Sequence, residues 1–162
     1  MTTPNQTTPN PDTLDFEILK ILVRNSRLGS KGIGMLLNRS KSVIAERINR
    51  MEANGIIKNY VAIADHKKLN SLFISCILVR VKDHSSQALD LFKHSVSDFE
   101  EVLECLHITG HFDFYIKAVV EHMASFNYFL TEKLGYLPNL AEVKSLPVID
   151  EVKREVLYPV FN

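Results

Sequence analysis

Asn38-Arg39-Ser40-Lys41-Ser42-Val43-Ile44-Ala45-Glu46-Arg47-Ile48-Asn49-Arg50-Met51-Glu52-Ala53-Asn54-Gly55-Ile56-Ile57-Lys58, residues 38–58, reads as a turn, a helix and the start of a strand. Ser40 is placed to cap the helix, because its hydroxyl can accept one of the amide protons a helix N-terminus leaves unpaired. Ile44, Ile48 and Met51 recur at i, i+4 and i+7 and form one apolar face. Lys41, Ser42, Arg47 and Arg50 fall largely off that face, and Glu46 is the only acid before Glu52. Gly55 stops the helix, since glycine takes the left-handed cap without a Cβ clash. A short helix, apolar on one side and basic on the other, suits packing on its own domain while meeting phosphates and base edges. Standing alone, such a helix is more often a solvated amphipathic element. The flanking sequence decides between the two.

Upstream, Asp12 caps a first helix over about 13–25, with Leu14, Ile18 and Leu22 as its stripe and Leu19 and Ile21 widening it. Arg24 and Arg27 lie at its end. Ser30 is expected to cap a second, short helix to about residue 37, with Ile33, Leu36 and Leu37 as apolar contacts. Gly32 and Gly34 each cost this helix about 1 kcal/mol relative to alanine. A small residue at 34 makes sense where this helix crosses the next one closely. Asn38 opens the turn, where a positive φ is needed and asparagine is the best residue after glycine. Three helices in this order, the last one basic, make a helix-turn-helix. Its candidate DNA contacts are Arg27, Ser40, Lys41, Ser42, Arg47 and Arg50, with Arg47 near base edges or phosphates and Arg50 near phosphate. Residues 56–64 alternate through Ile57, Tyr60, Val61 and Ile63 and read as the strand, or wing, of a winged helix.

Downstream, the period changes. Residues 65–71, with Lys67 and Lys68, form a polar hinge. Strands are expected over 72–81, 102–108, 112–120 and 140–149, with a possible fifth over 152–160. Helices are expected over 85–97, with Ala88, Leu91, Phe92 and Val96 inward, and over 122–134, with Met123, Phe126, Phe129 and Leu130 inward. The order βαββαβ is the ferredoxin-like arrangement, an α+β fold. Both helices would cover one face of the sheet, so the other face and the strand edges call for cover from another chain. A dimer through this part, with further association of dimers, is the expected assembly.

The 162 residues fit one domain or two small ones, and 46% apolar content is enough for real cores. No apolar run approaches the ~18 residues of a membrane helix. Residues 1–11 hold three prolines, four threonines and no charge, which reads as a disordered tail. The tail lacks the basic start and apolar stretch of a secretory signal, which points to the cytoplasm. Cys76 and Cys105 sit in apolar runs and read as reduced core thiols; no metal site or cofactor is expected. Net charge is zero, but residues 12–64 hold nine Lys and Arg against five Asp and Glu, while residues 65–162 hold ten against fourteen and all six histidines. A basic binding module joined to an acidic module with another task follows from that asymmetry. The expected division is a tail (1–11), a winged helix-turn-helix (12–64), a hinge (65–71) and an assembly or ligand domain (72–162).

This combination resembles the Lrp/AsnC, or feast/famine, family of transcriptional regulators over residues 13–150. The resemblance is carried by Leu14-Asp15 and Ile18-Leu19, by Arg27, by Ser40, by the run from Glu46 to Ile57, and by Tyr60 and Ala62. It is carried in the second part by Thr109-Gly110-His111-Phe112-Asp113-Phe114, close to the family's Thr-Gly-x-x-Asp-aromatic turn, and by residues 138–145. Departures are Asn38 for a turn glycine, Asn49 where a basic residue is common, and Val143 for a threonine. The resemblance implies double-stranded DNA as one partner and an amino acid or similar small molecule, bound at subunit contacts of the second domain, as another. For that effector the candidate residues are Gly110 for carboxylate-facing amides, Asp113 for the ammonium, and Thr109, His111 and Ser145 as further contacts. Read from the residues alone, Gly110 and Asp113 can equally just make and cap the turn. Two other classes are considered: an enzyme, since sirohaem decarboxylases resemble the same two-domain arrangement, and an effector-independent DNA-organising protein. The basic recognition helix argues against the enzyme.

Overall fold

The structure is a computed structural model that describes residues 10–65, 68, 72–153 and 160. The expected tail, hinge and fifth strand fall largely outside those residues. The chain divides into two compact units: the described residues to Ile63, together with Lys153 and Val160, form one, and the described residues of Ala64–Val152 the other.

The first unit is three helices: α1 (Thr13–Arg24), α2 (Ser30–Leu37) and α3 (Lys41–Ala53). α1 begins at Asp12, whose side chain accepts the Asp15 amide while Asp15 accepts the Asp12 amide in return, a reciprocal capping box. α3 begins at Ser40, which accepts the Val43 amide at 3.3 Å. α2 departs from the expected cap: Gly29 takes the N-cap position without a side-chain bond, and Ser30 is the first helical residue. Ile18, Leu22, Ile33, Ile44 and Met51 form the buried core, with Ile48, Leu37 and Leu14 packed at its margin. Leu36, expected inward, is exposed, as is Met35. An eight-residue helix has room for one narrow stripe, and Ile33 and Leu37 take it.

The turn between α2 and α3 is set by two residues. Asn38 adopts φ 52°, ψ 49°, the left-handed conformation the sequence suggests. At Gly34, an added Cβ would stand 2.6 Å from the Arg39 carbonyl oxygen, so only glycine lets the turn fold back over α2. Among the described residues the strand expected at 56–64 has no ladder partner: after Gly55 (φ 69°) the chain runs on with Tyr60, Val61 and Ile63 exposed. A lone extended segment has nothing to receive its amides, and no strand of the first unit lies among the described residues.

The second unit runs β1 (Phe73–Val81), α4 (Ser86–Ser97), β2 (Val102–His107), β3 (Phe114–Val120), α5 (Met123–Tyr128) and β4 (Leu140–Pro147). The antiparallel sheet has the order β2-β3-β1-β4, as a ferredoxin-like βαββαβ chain requires. Ile77, Val79 and Val81 of β1 and Phe114, Ile116, Ala118 and Val120 of β3 face Phe92 and Val96 of α4 and Phe126 and Phe129 of the second helical segment. Phe92 packs against Phe114 in a tilted pair with ring centroids 4.5 Å apart, tying α4 to the start of β3. Leu91 and Met123, expected inward, are exposed. The single helix expected over 122–134 is instead α5, a wider π turn (Phe129–Lys133) and a tight 3-10 turn (Leu134–Tyr136). Widening by one residue brings Leu134, rather than Lys133, under Phe129 and into the core, and frees Lys133 to pair with Glu101. The opposite face of the sheet carries Cys76 and Leu78, with Leu106 and Leu146 exposed at its two edges.

Gly34→Ala should destabilise the helical unit by about 1–3 kcal/mol, the cost of an overpacked backbone contact, and so lower its thermal midpoint. Melting followed by circular dichroism checks this; an unchanged midpoint would contradict the close approach.

Candidate functional site

The exposed surface of the helix-turn-helix centres on the turn and the start of α3. Arg39, Ser40, Lys41, Ser42 and Val43 are exposed, and the Ser40 and Ser42 hydroxyls lie 3.0 Å apart. Arg27 is exposed, beside the start of α2. Ser42, Glu46 and Asn49 recur at i, i+4 and i+7 and point outward, opposite Ile44, Ile48 and Met51. This stripe, flanked by Lys41 and Arg39, is the part of the helix a duplex could approach.

Arg47 and Arg50 have a different position from the one the sequence suggests. Arg47 Nη1 lies 2.6 Å from Asp12 Oδ2 and 3.1 Å from Asp15 Oδ1, and Arg50 Nη2 lies 2.7 Å from Asp15 Oδ2. Asp15 is 1% exposed and also accepts the Asp12 amide at 3.0 Å. Both guanidiniums therefore neutralise a buried carboxylate on α1. The signal was present in the sequence: Asp15 is in line with Ile18 and Leu22 on the inward stripe of α1, and a buried acid needs cations. Arg47 and Arg50, three residues apart on the flank of the apolar face, are the cations that reach it. The Arg47 hydrogen bond and the Asp15 amide hold the Asp12 carboxyl below its ordinary range, and Asp12 in turn raises Arg47.

In the second unit the turn between β2 and β3 holds Thr109, Gly110, His111 and Asp113. The first three are exposed, and Gly110 has φ 128°. Asp113 points inward. Its amide donates to the Val79 carbonyl at 2.9 Å and its carbonyl accepts the Ile108 amide at 2.8 Å. Its carboxylate accepts the Val81 amide on Oδ2 at 2.8 Å and meets His84 Nε2 on Oδ1 at 2.9 Å. Burial pushes the Asp113 carboxyl up, but the Val81 amide and His84 outweigh it and hold it below the ordinary range. His111 Nε2 lies 3.4 Å from Glu142 of β4, which also pairs with Arg80 of β1. His107 stacks on Phe114 at 4.7 Å. Ser145 pairs in register with Ile77, further along β1 than Val79 and Val81, which hold Asp113, and it does not join this cluster. His84, Glu142 and Arg80 were not singled out from the sequence; they meet the turn only through sheet pairing and the loop after β1. A cleft of about 300 Å³ lies elsewhere, between α4 and the segment before β4, lined by Leu91, Phe92, Leu137 and Asn139 among others; none of the candidate residues lines it.

Among the described residues no group of three His, Cys, Asp or Glu side chains is arranged to hold a metal ion. Among them, too, no helix is long and apolar enough to cross a membrane.

Two family models match the chain: the Lrp/AsnC ligand binding domain over residues 75–158 and the winged helix-turn-helix DNA-binding domain over residues 11–58. The chain belongs to the Lrp/AsnC family of transcriptional regulators. It is 31% identical over 141 residues to the proline dehydrogenase transcriptional activator of Rhodobacter capsulatus, covering 87% of this chain and 92% of that one. It superposes on the crystal structure of an AsnC family transcriptional regulator from Agrobacterium tumefaciens with a TM-score of 0.83 at 28% identity, over 92% of this chain and 97% of that chain. It also matches a Neisseria meningitidis transcriptional regulator solved in complex with L-Met, with a TM-score of 0.82 at 27% identity over 92% and 96% of the two chains. The α+β architecture of a helix-turn-helix followed by a four-stranded antiparallel sheet is that of these Lrp/AsnC regulators.

Asp15→Asn should destabilise the helical unit by about 2–3 kcal/mol, less than the 3–5 for a fully buried pair because both arginines are partly exposed. Denaturant titration followed by circular dichroism tests this. Asp12, with its carboxyl depressed by Arg47, contributes stability that is complete above the ordinary carboxylate value near 4 and is lost as pH falls through its folded-state value. Below about pH 4, Arg47→Ala should therefore lose less further stability on acidification than wild type.

Proposed function

We propose that this chain is a DNA-binding regulator whose second domain assembles subunits and binds an amino acid or related small molecule at their contacts. The observation that carries the DNA-binding half is the outward stripe of α3, short polar residues flanked by Arg39 and Lys41, on a helix fixed from behind. Ser40, Lys41 and Ser42 are assigned to the duplex, with Arg27 and Arg39 at phosphates. Arg47 and Arg50 are assigned to holding α3 in place. The effector half is supported by the ligand-binding family model and by the L-Met complex of the Neisseria relative. In this reading Thr109, Gly110 and His111 offer exposed amides and polar contacts, with Asp113 behind them. Ser145 is left aside. A regulatory task is favoured over an enzymatic one because the basic recognition surface has no use in catalysis, and the cytoplasm is the compartment where such a regulator meets DNA.

Assembly is read from the sheet. The face opposite the helices exposes Leu106 and Leu146 beside the partly buried Leu78 and Cys76, more apolar surface than a solvated face needs. A second copy of the chain is the assigned cover, with association of dimers beyond it.

Lys41→Ala and Arg39→Ala should each weaken binding across sequences and lower the salt slope by about one for each phosphate that is no longer neutralised. Fluorescence anisotropy at several salt concentrations reads both quantities, and unchanged slopes in both variants would remove the assignment. The full chain should run as a dimer or larger in light scattering at micromolar concentration. A monomer there would refute the assembly.

A further inference from the structure

Both oxygens of the Asp113 carboxylate are engaged within the chain, but from different sides. Oδ2 is held by the Val81 amide, part of the backbone at the end of β1. Oδ1 is held by His84, whose side chain is 57% exposed against 15% for Asp113. An incoming cation can displace a solvent-exposed side chain far more readily than a strand amide. The oxygen that an ammonium group could reach is thus the one His84 holds.

The loop carrying His84 is itself fixed. Asn139, at φ 74°, accepts the Lys82 and Asp83 amides on Oδ1 at 3.1 and 2.6 Å and donates from Nδ2 to the Asp83 carbonyl at 2.7 Å. Asp83 accepts the Ser85 amide at 2.8 Å and its hydroxyl at 3.0 Å. The backbone on either side of His84 is therefore held, and the imidazole stands over Asp113 as a positioned group.

We propose that His84 is a built-in competitor at the effector turn. Its imidazole holds the Asp113 oxygen that an effector's ammonium group would take, so effector binding breaks the His84–Asp113 contact and weakens as His84 gains a proton. This rests on the reading of the 109–113 turn as the effector site. A neutral imidazole offers Asp113 one N–H, whereas an imidazolium adds a full opposite charge. Other charged groups face the same turn. His107 of β2 adds to the field at Asp113. His111 is turned to Glu142, which Arg80 also neutralises. Lys82 and Asp83 flank His84 in its own loop, and Asp83 feels His84 as well. Of these side chains, His84 is the one in contact with the carboxylate.

The test uses the full chain. The twenty standard L-amino acids are screened by thermal shift, and the best binder is titrated calorimetrically beside its desamino analogue at about pH 6 and about pH 8, across which histidine changes charge. Wild type, His84→Ala, His107→Ala and His111→Ala are compared. The expected result is that wild type binds more weakly at the lower pH, and that His84→Ala binds about two- to fivefold tighter there, the range of an exposed ion pair. The pH dependence flattens in His84→Ala and survives in the other two variants, and the desamino acid ignores His84. Binding by His84→Ala alone would support the competitor outright. Equal affinity and equal pH dependence in wild type and His84→Ala would overturn it while leaving the effector reading intact, as would a dependence that disappears only with His107 or His111. Failure of every amino acid to bind any of the four proteins would overturn both.

Discussion

The helical unit depends on one buried carboxylate. Asp15 sits at the first turn of α1, 1% exposed, and receives Arg47, Arg50 and the Asp12 amide. A carboxylate in that position is costly unless its oxygens are filled, so α3 cannot slide or rotate on α1 without stranding the charge. The second restraint is at the other end of α3, where Asn38 takes a left-handed conformation and Gly34 lets the Arg39 carbonyl close down. The turn fixes how α3 starts, and the carboxylate fixes the face it turns inward. Between them, Ser42, Glu46 and Asn49 have one direction left, which is outward.

The second unit repeats the device with different partners. Asp113 joins the end of β1, the β2–β3 turn and the loop after β1 through the Val81 amide, its own backbone bonds to Val79 and Ile108, and His84. Asn139 then ties that loop to the segment before β4. An aspartate that looks from the sequence like a ligand group is thereby also a structural joint. The proposed ligand role and this structural one use different oxygens, because the Val81 bond takes one and is part-buried, while the His84 bond takes the other and is exposed.

These two aspartates show what the sequence makes legible. Apolar period, caps and turn chemistry placed α1, α3, the Asn38 turn and the four strands within a few residues, because each is decided by neighbours three or four positions away or by strand alternation. The residues at 56–64 alternate as a strand does, yet a strand is a property of a pair, and alternation says nothing about whether a partner is present. The helix over 122–134 is broken by a one-residue widening that serves Leu134, a packing demand from across the core. Arg47 and Arg50 were legible as basic but not as paired. Their partner lies more than thirty positions upstream, beyond what a local period can link.

Internal pairing also alters where the positive charge is available for DNA, though not how much. Residues 12–64 carry a surplus of four positive charges. Setting Asp12 and Asp15 against Arg47 and Arg50 removes two of each sign and leaves that surplus unchanged. What changes is its distribution: Arg39 and Lys41 stand at the turn and the start of α3, while Arg27 and Lys31 stand at the start of α2. On the proposed reading, phosphate attraction, which supplies most of non-specific affinity, falls at the start of α3 to Arg39 and Lys41, where helix N-terminal amides add to it. The middle of the helix presents Glu46 and Asn49, which can accept from or bridge base edges but do not attract a backbone. On the proposed reading, affinity and base choice fall to different residues of the same helix. A regulator built this way can exchange its outward polar residues, and with them its operator, without disturbing either the charge that brings it to DNA or the buried aspartate that aims it.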